Sequence, residues 1–427
     1  MIPRTAVEVL PSGPVRAMLR APASKSVTNR LLVIAALAEG RSVLRHPLDS
    51  DDTQAMRDAV SALGSEVEDT PDGWRVVGTG GRLRLAERID ARLSGTTLRF
   101  VTAMAALAGG PVTVTGAPPL LRRPIGPLVA ALRVLGADVA DGDGLPPVRL
   151  GGGGLKGGEV EVDVSGSSQF ASAILLVAPY AAQGVTLRTT GLAASGYVQL
   201  TVELMRGWGV EVTGREDGSW EVAPGQWYVA RDETVEYDAS AAAHLLALAA
   251  ATGGQVTVVN AVAGTRQPDA GLAGVLERMG CVVGRARDAL TVTGPRRLRP
   301  VDVDLRAMPD QVTTVAALAA LAEGTSRIRG VAVARGHETD RLAALARELR
   351  RLGVAVRQLS DGLVITGGAA HGPARLATHD DHRLAMAFAA IGARVCGVVV
   401  EEPWCVKKTY PDFWRDLADA GVGWRKA

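Results

Sequence analysis

The chain has 427 residues, enough for two or three domains, and its 47% apolar and 22% charged residues exclude an intrinsically disordered protein. Lysine and arginine number 47 against 45 acidic residues, so the net charge of +2 excludes the strongly basic surface of a typical nucleic-acid-binding protein. The longest apolar runs, such as residues 31–38, fall short of the roughly 18 residues that a membrane helix needs, and the first residues lack a signal-peptide core. We therefore expect a cytoplasmic protein with neither a nucleic-acid nor a membrane partner.

An Ala/Leu-rich helix pattern that follows a short polar cluster recurs six times along the chain. Each copy ends near a glycine, and these glycines lie 70 to 74 residues apart: Gly40, Gly110, Gly184, Gly254, Gly324 and Gly397. A β-rich run and an amphipathic helix pattern follow, and that helix ends at a second glycine: Gly64, Gly136, Gly209, Gly280, Gly353 and Gly421. The regular spacing of both sets of glycines predicts six copies of one structural unit.

A unit of about 70 residues exceeds the 20 to 50 residues of solenoid repeats, so we expect closed domains rather than an open superhelix. Two lobes of three units each fit the length, with a boundary near residues 235–238. The Gly-rich stretch 151–158 is predicted to be a loop inside the first lobe.

The first helix of each unit is predicted to begin in a polar cluster. The six clusters are Lys25-Ser26, Ser94-Gly95-Thr96, Ser167-Ser168-Gln169, Asp238-Ala239-Ser240, Pro309-Asp310-Gln311 and Asp380-Asp381-His382-Arg383. Helix N-termini expose unpaired N–H groups and a positive dipole end, which favour anions. Capping by Ser and Asp accounts for part of the pattern, but the lysine, glutamine and arginine are not capping residues. Anion binding therefore stands beside capping as an open interpretation.

Cations and acids concentrate at three of the helix starts. Lys25 is one of only five lysines, and Arg30 follows it closely, a pair suited to phosphate or carboxylate. GHETDRL (336–342) is predicted to start a helix that Thr339 caps, and THDDHRLAM (378–386) is predicted to start another. A metal site is disfavoured because no third cluster offers matching ligands, and the three cysteines lack zinc or disulfide spacing. The Gly-rich motifs of nucleotide-binding loops do not occur.

Nine stretches, in this order, make the chain similar to the 5-enolpyruvylshikimate-3-phosphate synthase family of enolpyruvyl transferases. They are PASKSVTNR (22–30), LDSDDT (48–53), SGTTLR (94–99), RRPIG (122–126), SGSSQF (165–170), MPDQ (308–311), HETDRL (337–342), DDHRLAM (380–386) and KKTYPDF (407–413). The resemblance covers essentially the whole chain. It implies transfer of the enolpyruvyl group of phosphoenolpyruvate to the 5-hydroxyl of shikimate-3-phosphate, on the pathway to chorismate and the aromatic amino acids.

The resemblance also implies an α/β (α+β) fold of two lobes. Each lobe would hold three βαβαββ repeats around a pseudo-threefold axis, an inside-out α/β barrel. Residues 22–236 would form the first lobe, on the shikimate-3-phosphate side. Residues 1–21 and 237–427 would form the second lobe, which carries the catalytic carboxylates and part of the phosphoenolpyruvate site. We expect a monomer that needs no cofactor and no metal.

The same resemblance implies the site residues. Shikimate-3-phosphate would be bound by Lys25, Ser26, Arg30, Ser167, Ser168, Gln169, Ser195, Asp310 and His337. Phosphoenolpyruvate would be bound by Lys25, Gly95, Arg123, Gln169, Arg341, Arg383 and Lys408. The two substrates bring roughly five to six negative charges together, so a cluster of cations is required.

The implied catalytic residues are Asp310, Glu338 and Lys25. Glu338 would protonate the methylene carbon of phosphoenolpyruvate, and Asp310 would accept the proton of the attacking hydroxyl, with Lys25 assisting. Which of the three acts in which step stays open.

Four positions depart from the family pattern. His337 stands where the family usually has a lysine, Val333 replaces a polar contact, Leu93 replaces an Asn, and Phe100 replaces a Pro. Gly95 would leave room for the inhibitor glyphosate, but the replacements at 93 and 100 leave the degree of inhibition open.

Two alternatives compete with this hypothesis. The related transferase that acts on UDP-N-acetylglucosamine carries a cysteine in the loop that here reads GAPPLLRRP (116–124), without a cysteine. A non-enzymatic repeat scaffold would not explain why cations and acids stand at matching helix starts.

Overall fold

The computed structural model describes residues 5–191 and 195–427, which form two compact units. The central unit comprises Ala23–Glu236, and the terminal unit comprises the chain up to Pro22 together with Tyr237–Ala427. Two short strands, β1 (Ala6–Val9) and β2 (Arg16–Leu19), begin the described chain and belong to the terminal unit.

The central unit contains three successive repeats of strands and helices. The first has α1 (Lys25–Leu37), β3 (Glu39–Arg45), α2 (Asp51–Ala62), β4 (Glu66–Thr70) and β5 (Gly73–Thr79). The second has β6 (Arg88–Asp90), α3 (Gly95–Ala105), β7 (Val112–Thr115), α4 (Gly126–Val134), β8 (Asp138–Gly142) and β9 (Leu145–Gly152). The third has β10 (Gly158–Asp163), α5 (Gln169–Val177), β11 (Val185–Thr190), α6 (Ser195–Gly207), β12 (Thr213–Gly214) and β13 (Trp220–Val222), followed by β14 (Glu233–Thr234).

The terminal unit repeats the same order. Its first repeat has α7 (Ala239–Thr252), β15 (Gln255–Val258), α8 (Leu272–Arg278), β16 (Val282–Arg285) and β17 (Leu290–Thr293). The second has β18 (Asp302–Asp304), α9 (Val312–Leu321), β19 (Gly324–Arg329), α10 (Arg341–Arg351), β20 (Ala355–Gln358) and β21 (Leu363–Gly367). The third has β22 (Ala374–Ala377), α11 (His382–Gly392), β23 (Val398–Glu401), α12 (Phe413–Asp419) and β24 (Trp424–Lys426).

Within the described residues, each repeat builds a four-stranded sheet with one parallel and two antiparallel pairs. The strand orders are β14-β3-β5-β4, β6-β7-β9-β8, β10-β11-β13-β12, β16-β17-β15-β2, β18-β19-β21-β20 and β22-β23-β1-β24. Three of these repeats, which begin at β6, β10 and β18, follow the βαβαββ pattern in chain order, and each of the other three takes one strand from elsewhere in the chain. The mixed α/β fold class is confirmed.

Three strands join sheets that lie far away in sequence. β2 pairs in parallel with β15, from Arg16 opposite Gln255 to Leu19 opposite Val258. β1 lies between β23 and β24 and is antiparallel to both. β14, near the end of the central unit, returns to pair in parallel with β3 of that unit's first repeat. Each of these three strands is the fourth strand of a sheet whose other three strands are close together in sequence.

The first helices of the repeats form the core of each unit. All fourteen residues of α7 are buried, and so are the nine residues from Val312 to Ala320 of α9, because helices that are apolar on every side must pack on all sides. In the terminal unit α7, α9 and α11 pack against one another, as α1, α3 and α5 do in the central unit. The polar residues at their N-termini are thereby brought together within each unit.

The predicted helix ends are correct for the second helices and for α7, which ends at Thr252, and too late for the other first helices. All six second-stop glycines have positive φ, for example +107° at Gly64 and +89° at Gly136, a backbone that glycine adopts without strain. The other first helices end well before their predicted glycine. In the third repeat α5 ends at Val177 and a 3₁₀ turn containing Pro179 follows, because proline cannot continue the helix.

Among the residues that the structure describes, no helix has both the length and the apolar character that a membrane crossing requires.

Candidate active site

In the central unit, Lys25 is the first residue of α1, and its ammonium is held by a buried acid. Its Nζ lies 3.1 Å from Oδ2 of Asp52 on α2, a side chain that is 3% exposed. Ser24 caps the helix by accepting from the N–H of Val27. The pairing fixes the direction of the ammonium at the helix start. Asp52 was not predicted as a site residue, although it lies in the LDSDDT stretch, because sequence does not show which acid of the stretch is buried.

Arg30, one turn further along α1, is a buried cation. Its Nε donates to the hydroxyl of Thr201 and its Nη1 to the carbonyl of Ser26, at 2.8 and 2.9 Å. Its Cζ lies 5.2 Å from the ring centroid of Phe100 and 5.8 Å from that of Tyr197. Burial lowers the pKa of Arg30 to about 10, so it is still charged at neutral pH. Within the described part of the chain it contacts no carboxylate, and an anion would therefore compensate its charge.

Arg123 lies against Gly95, the first residue of α3. A Cβ built on that glycine would come 2.6 Å from Nη1 and 2.9 Å from Cζ of the arginine. The missing side chain is what lets the guanidinium approach the N-terminus of α3.

Gln169, the first residue of α5, is held by α3. Its Oε1 accepts from Arg99 at 2.7 Å, and its Nε2 donates to the hydroxyl of Thr96 at 3.1 Å. Its backbone N–H donates to Oγ of Ser167, and both Ser167 and Ser168 are buried. The predicted residue Ser195 begins α6, but its side chain lies outside the described residues.

In the terminal unit, the structure brings together six predicted residues and one that was not predicted. We call this set the Arg341 cluster: Asp310, His337, Glu338, Arg341, Asp381, Arg383 and Lys408. Asp310 comes from the 3₁₀ turn before α9, and Arg383 and Asp381 come from the start of α11. The packing of these helices places their polar starts within hydrogen-bond distance.

Arg341, the first residue of α10, is fully buried and binds three carboxylates. Its Nε lies 2.7 Å from Oδ2 of Asp381, its Nη1 2.7 Å from Oδ1 of Asp310, and its Nη2 3.0 Å from Oε2 of Glu338. Burial alone would lower the pKa of Arg341, but the three negative charges outweigh it and raise the pKa above its usual value. The planar fork of the guanidinium suits this three-way contact, which a lysine could not reproduce.

Asp310 is held between two arginines. Its second oxygen, Oδ2, lies 2.9 Å from Nη2 of Arg383. Burial alone would raise the pKa of this carboxyl, but the charges of Arg383 and Arg341 outweigh that effect and hold the pKa well below its usual range. Asp310 is thus a firmly ionised carboxylate, and a weak base while both arginines face it.

Glu338 and His337 complete the cluster. Oε1 of Glu338 lies 2.9 Å from Nζ of Lys408, so this acid bridges Lys408 and Arg341. Nδ1 of His337 lies 2.9 Å from Nη1 of Arg341 and 3.4 Å from Oδ1 of Asp310. Nδ1 can accept from the arginine only when it carries no proton, whereas the contact with Asp310 needs that proton.

Two aspartates cap the helices that carry the arginines. Asp381 caps α11 by accepting from the N–H of Arg383 and also pairs with Arg341, a double role that sequence analysis missed. Asp340 caps α10 by accepting from the N–H of Ala343. The prediction that Thr339 is the cap was wrong, because the helix begins one residue later than expected and its adjacent residue is the aspartate.

No group of three or more His, Cys, Asp or Glu side chains in the described part of the chain is arranged to hold a metal ion.

Residues 9–417 match the family model of EPSP synthase (3-phosphoshikimate 1-carboxyvinyltransferase). Two similar proteins carry the name 3-phosphoshikimate 1-carboxyvinyltransferase. The one from Methanoculleus marisnigri is 41% identical over 421 residues, covering 97% of this chain and 99% of its own. The one from Syntrophobacter fumaroxidans is 44% identical over 409 residues, covering 95% of this chain and 97% of its own.

Solved structures of similar proteins share the fold of this chain. The EPSP synthase from Acinetobacter baumannii has a TM-score of 0.83 and 25% identity, with 99% of this chain and 100% of that chain covered. The enolpyruvyl transferase NikO from Streptomyces tendae has a TM-score of 0.80 at 19% identity, with 99% of both chains covered, and shows a shared fold.

Proposed function

The chain belongs to the EPSP synthase (3-phosphoshikimate 1-carboxyvinyltransferase) family, and from this premise we propose how its side chains carry out the reaction. The enolpyruvyl group moves from phosphoenolpyruvate to the 5-hydroxyl of shikimate-3-phosphate, and phosphate is released. The observation that carries the assignment is the Arg341 cluster, where two candidate proton-transfer acids stand among three cations.

The central unit supplies the shikimate-3-phosphate site in this proposal. Arg30 offers a buried positive charge, and Lys25 offers an ammonium aimed by Asp52. Ser26, Ser167, Ser168, Gln169 and Ser195 would add polar contacts at helix starts, where backbone N–H groups favour phosphate. Asp310 and His337 of the terminal unit would complete the contacts to this substrate.

Phosphoenolpyruvate would bind to Arg341, Arg383 and Lys408 of the terminal unit, and to Lys25, Gly95, Arg123 and Gln169 of the central unit. With His337 neutral, the charges of the Arg341 cluster sum to zero, because three cations face three carboxylates. An arriving anion adds negative charge and favours the uncharged, protonated form of the nearest carboxyl. In this proposal that carboxyl is Glu338, because both cations that it bridges, Arg341 and Lys408, are assigned to phosphoenolpyruvate. Binding of phosphoenolpyruvate would then favour the protonated form of the acid that donates to it.

The reaction then proceeds in two halves. Glu338 gives its proton to the methylene carbon of phosphoenolpyruvate, and the 5-oxygen of shikimate-3-phosphate bonds to the electron-poor C2 while its proton passes to Asp310. The C2–O bond to phosphate then breaks, and the methyl group returns a proton to the Glu338 carboxylate, which restores the double bond as an enol ether and the protonated form of Glu338. Asp310 becomes a competent base once substrate anions neutralise the arginines that depress its basicity. Lys25 would stabilise the negative charge that moves to the leaving phosphate.

The activity is tested by phosphate release from phosphoenolpyruvate, with shikimate-3-phosphate or UDP-N-acetylglucosamine as acceptor and no added metal. We expect release only with shikimate-3-phosphate, together with an enol-ether product of the corresponding mass. If no phosphate is released with either acceptor, the departures at Leu93, Val333 and His337 have changed the acceptor substrate.

The roles of the two acids are tested by Asp310→Ala and Glu338→Ala. Each should lower kcat by about 100-fold or more while the Kd of shikimate-3-phosphate changes much less, because proton transfer is lost and most binding groups stay. Glu323→Ala is the matched control, since that acid is exposed and pairs only with the exposed Arg297 in the described structure. Near-normal kcat in either site variant would exclude the role assigned to it.

We further propose that the protein acts as a monomer in the cytoplasm. Sedimentation equilibrium at micromolar concentration should return the mass of one chain, 44.3 kDa.

A further inference from the structure

Glu348 is a fully buried carboxylate that the reaction does not use. It lies on α10, and its Oε1 is 3.1 Å from Nε2 of His379. Its Oε2 accepts from the backbone N–H of Ala377 at 3.2 Å and lies 3.1 Å from Nε of Arg351. Burial of an ionised acid is costly unless it is paired, so this residue needs a reason to be there.

Two of its partners lie where β22 leads into α11: Ala377 is the last residue of β22, and His379 lies in the turn that follows. We call residues 377–381 the turn. Two consecutive residues of this turn have positive φ, +52° at His379 and +57° at Asp380, although neither is a glycine. Such residues are strained and persist only where the surroundings hold them. Glu348, which accepts from the N–H of Ala377 and contacts His379, ties the turn to α10.

The helix α10 therefore holds this turn at two points. Arg341 binds Asp381 at one end of the turn, and Glu348 binds Ala377 and His379 at the other. The two side chains are seven residues apart, about two helical turns, and so lie on the same face of α10.

The turn leads directly into the start of α11, where Arg383 reaches Asp310 at 2.9 Å. Arg341 reaches the same aspartate from α10 at 2.7 Å. The spacing of the two arginines thus depends on how the turn is docked on α10.

We propose that Glu348 is a positioning residue, which fixes the turn 377–381 on α10 and thereby sets the distance between Arg341 and Arg383. This inference rests on the proposed role of those two arginines in binding phosphoenolpyruvate. A displacement of a substrate-binding group by about 1 Å can cost 10²-fold in rate, so a loosened turn should be visible in kinetics.

The test compares Glu348→Ala with Glu348→Gln and with the control Arg351→Gln. The alanine leaves the Ala377 N–H without its acceptor and frees the turn, so the KM for phosphoenolpyruvate should rise by about 10-fold or more. The Kd for shikimate-3-phosphate should change by less than about 3-fold, since most of its proposed contacts lie in the central unit. In Glu348→Gln the side-chain oxygen still accepts from the N–H of Ala377, so this variant should restore most of the affinity for phosphoenolpyruvate. The control Arg351→Gln removes only the ion pair on the solvent side, because Arg351 is 54% exposed.

Equal losses for both substrates, or a lowered Tm with unchanged KM values, would show a merely structural role and overturn the inference. If Glu348→Ala does not fold, Glu348→Asp shortens the reach by one methylene and gives the same comparison. Arg383→Gln separates this inference from the proposed function. If Arg383→Gln leaves the KM for phosphoenolpyruvate unchanged, the proposed role of Arg383 in binding this substrate fails. If it raises that KM while the Glu348 variants do not, the inference alone fails.

Discussion

Replacing Arg341 with glutamine should destabilise the terminal unit strongly. The substitution removes a cation that is 1% exposed and leaves Asp381, which is fully buried, without its ion pair. Asp310 and Glu338 lose the same partner. Removing one member of a buried ion pair costs about 3–5 kcal/mol, because the other charge stays buried and uncompensated.

The assay is differential scanning calorimetry at pH 7. For a unit of this size each kcal/mol shifts Tm by about 2–4 °C, so the transition should fall by about 6–20 °C. Arg297→Gln is the control, since Arg297 forms a 3.0 Å ion pair with Glu323 in the same unit and is 70% exposed. An exposed pair contributes about 0–1 kcal/mol, and the control should melt near the native temperature.

The pH dependence gives a second signature of the same substitution. Asp310 has a pKa well below its unfolded value of about 3.9, so its contribution to stability is present above that pH and is lost as the pH falls toward the folded pKa. Without Arg341 the pKa of Asp310 rises, and this loss should begin at higher pH. If Arg341→Gln and Arg297→Gln melt within about 1 °C of each other, the Arg341 cluster does not stabilise the terminal unit.

Three further substitutions test individual groups. Imidazole can lose its proton near neutral pH and the lysine ammonium cannot, so the affinity for shikimate-3-phosphate should fall between pH 6.5 and 8.5 in the native protein and stay flat in His337→Lys. The same profile in both proteins would remove the idea. Gly95→Ala should raise the KM for phosphoenolpyruvate, because the new Cβ would lie 2.6 Å from Nη1 of Arg123; an unchanged KM would mean that Arg123 relaxes freely. Burial, followed by the charge of Arg383, lowers the pKa of His244 to about 3, so protonation of the unfolded chain weakens the fold as pH drops below about 6.5. His244→Leu should reduce the slope of unfolding free energy between pH 6 and 4 by about 1.4 kcal/mol per pH unit, and an unchanged slope in urea titrations would contradict this.

The repeat architecture was predictable from sequence because its markers are local. A glycine with positive φ ends each second helix, as at Gly64, and a polar residue starts each first helix, as Ser24 and Ser94 do by capping. These features depend only on a few neighbouring residues, so they can be predicted directly from the sequence.

The contacts inside the site were harder to predict from the sequence. Asp52 and Asp381 were visible only as acids near helix starts, yet each pairs with a cation from another helix, Lys25 and Arg341. Which acid of an acidic stretch is buried depends on how the helices pack, and packing is not encoded in any short segment. The wrong cap, Thr339, has the same origin, since one residue of helix length decides between it and Asp340.

The return of β1 and β2 to the terminal unit has a consequence for biosynthesis. The central unit contains all of its own strands once residue 236 has left the ribosome, because β14 closes its first sheet. β2 can pair only after β15, which begins at residue 255, has been synthesised. β1 can pair with β23 only after that strand, which begins at residue 398, has been synthesised. Since domains fold as they emerge, the segment that carries β1 and β2 is made before the central unit but is among the last to pair. During that interval β2, with its solvent-facing Met18, is an unpaired edge strand and a site where chaperones would be expected to bind.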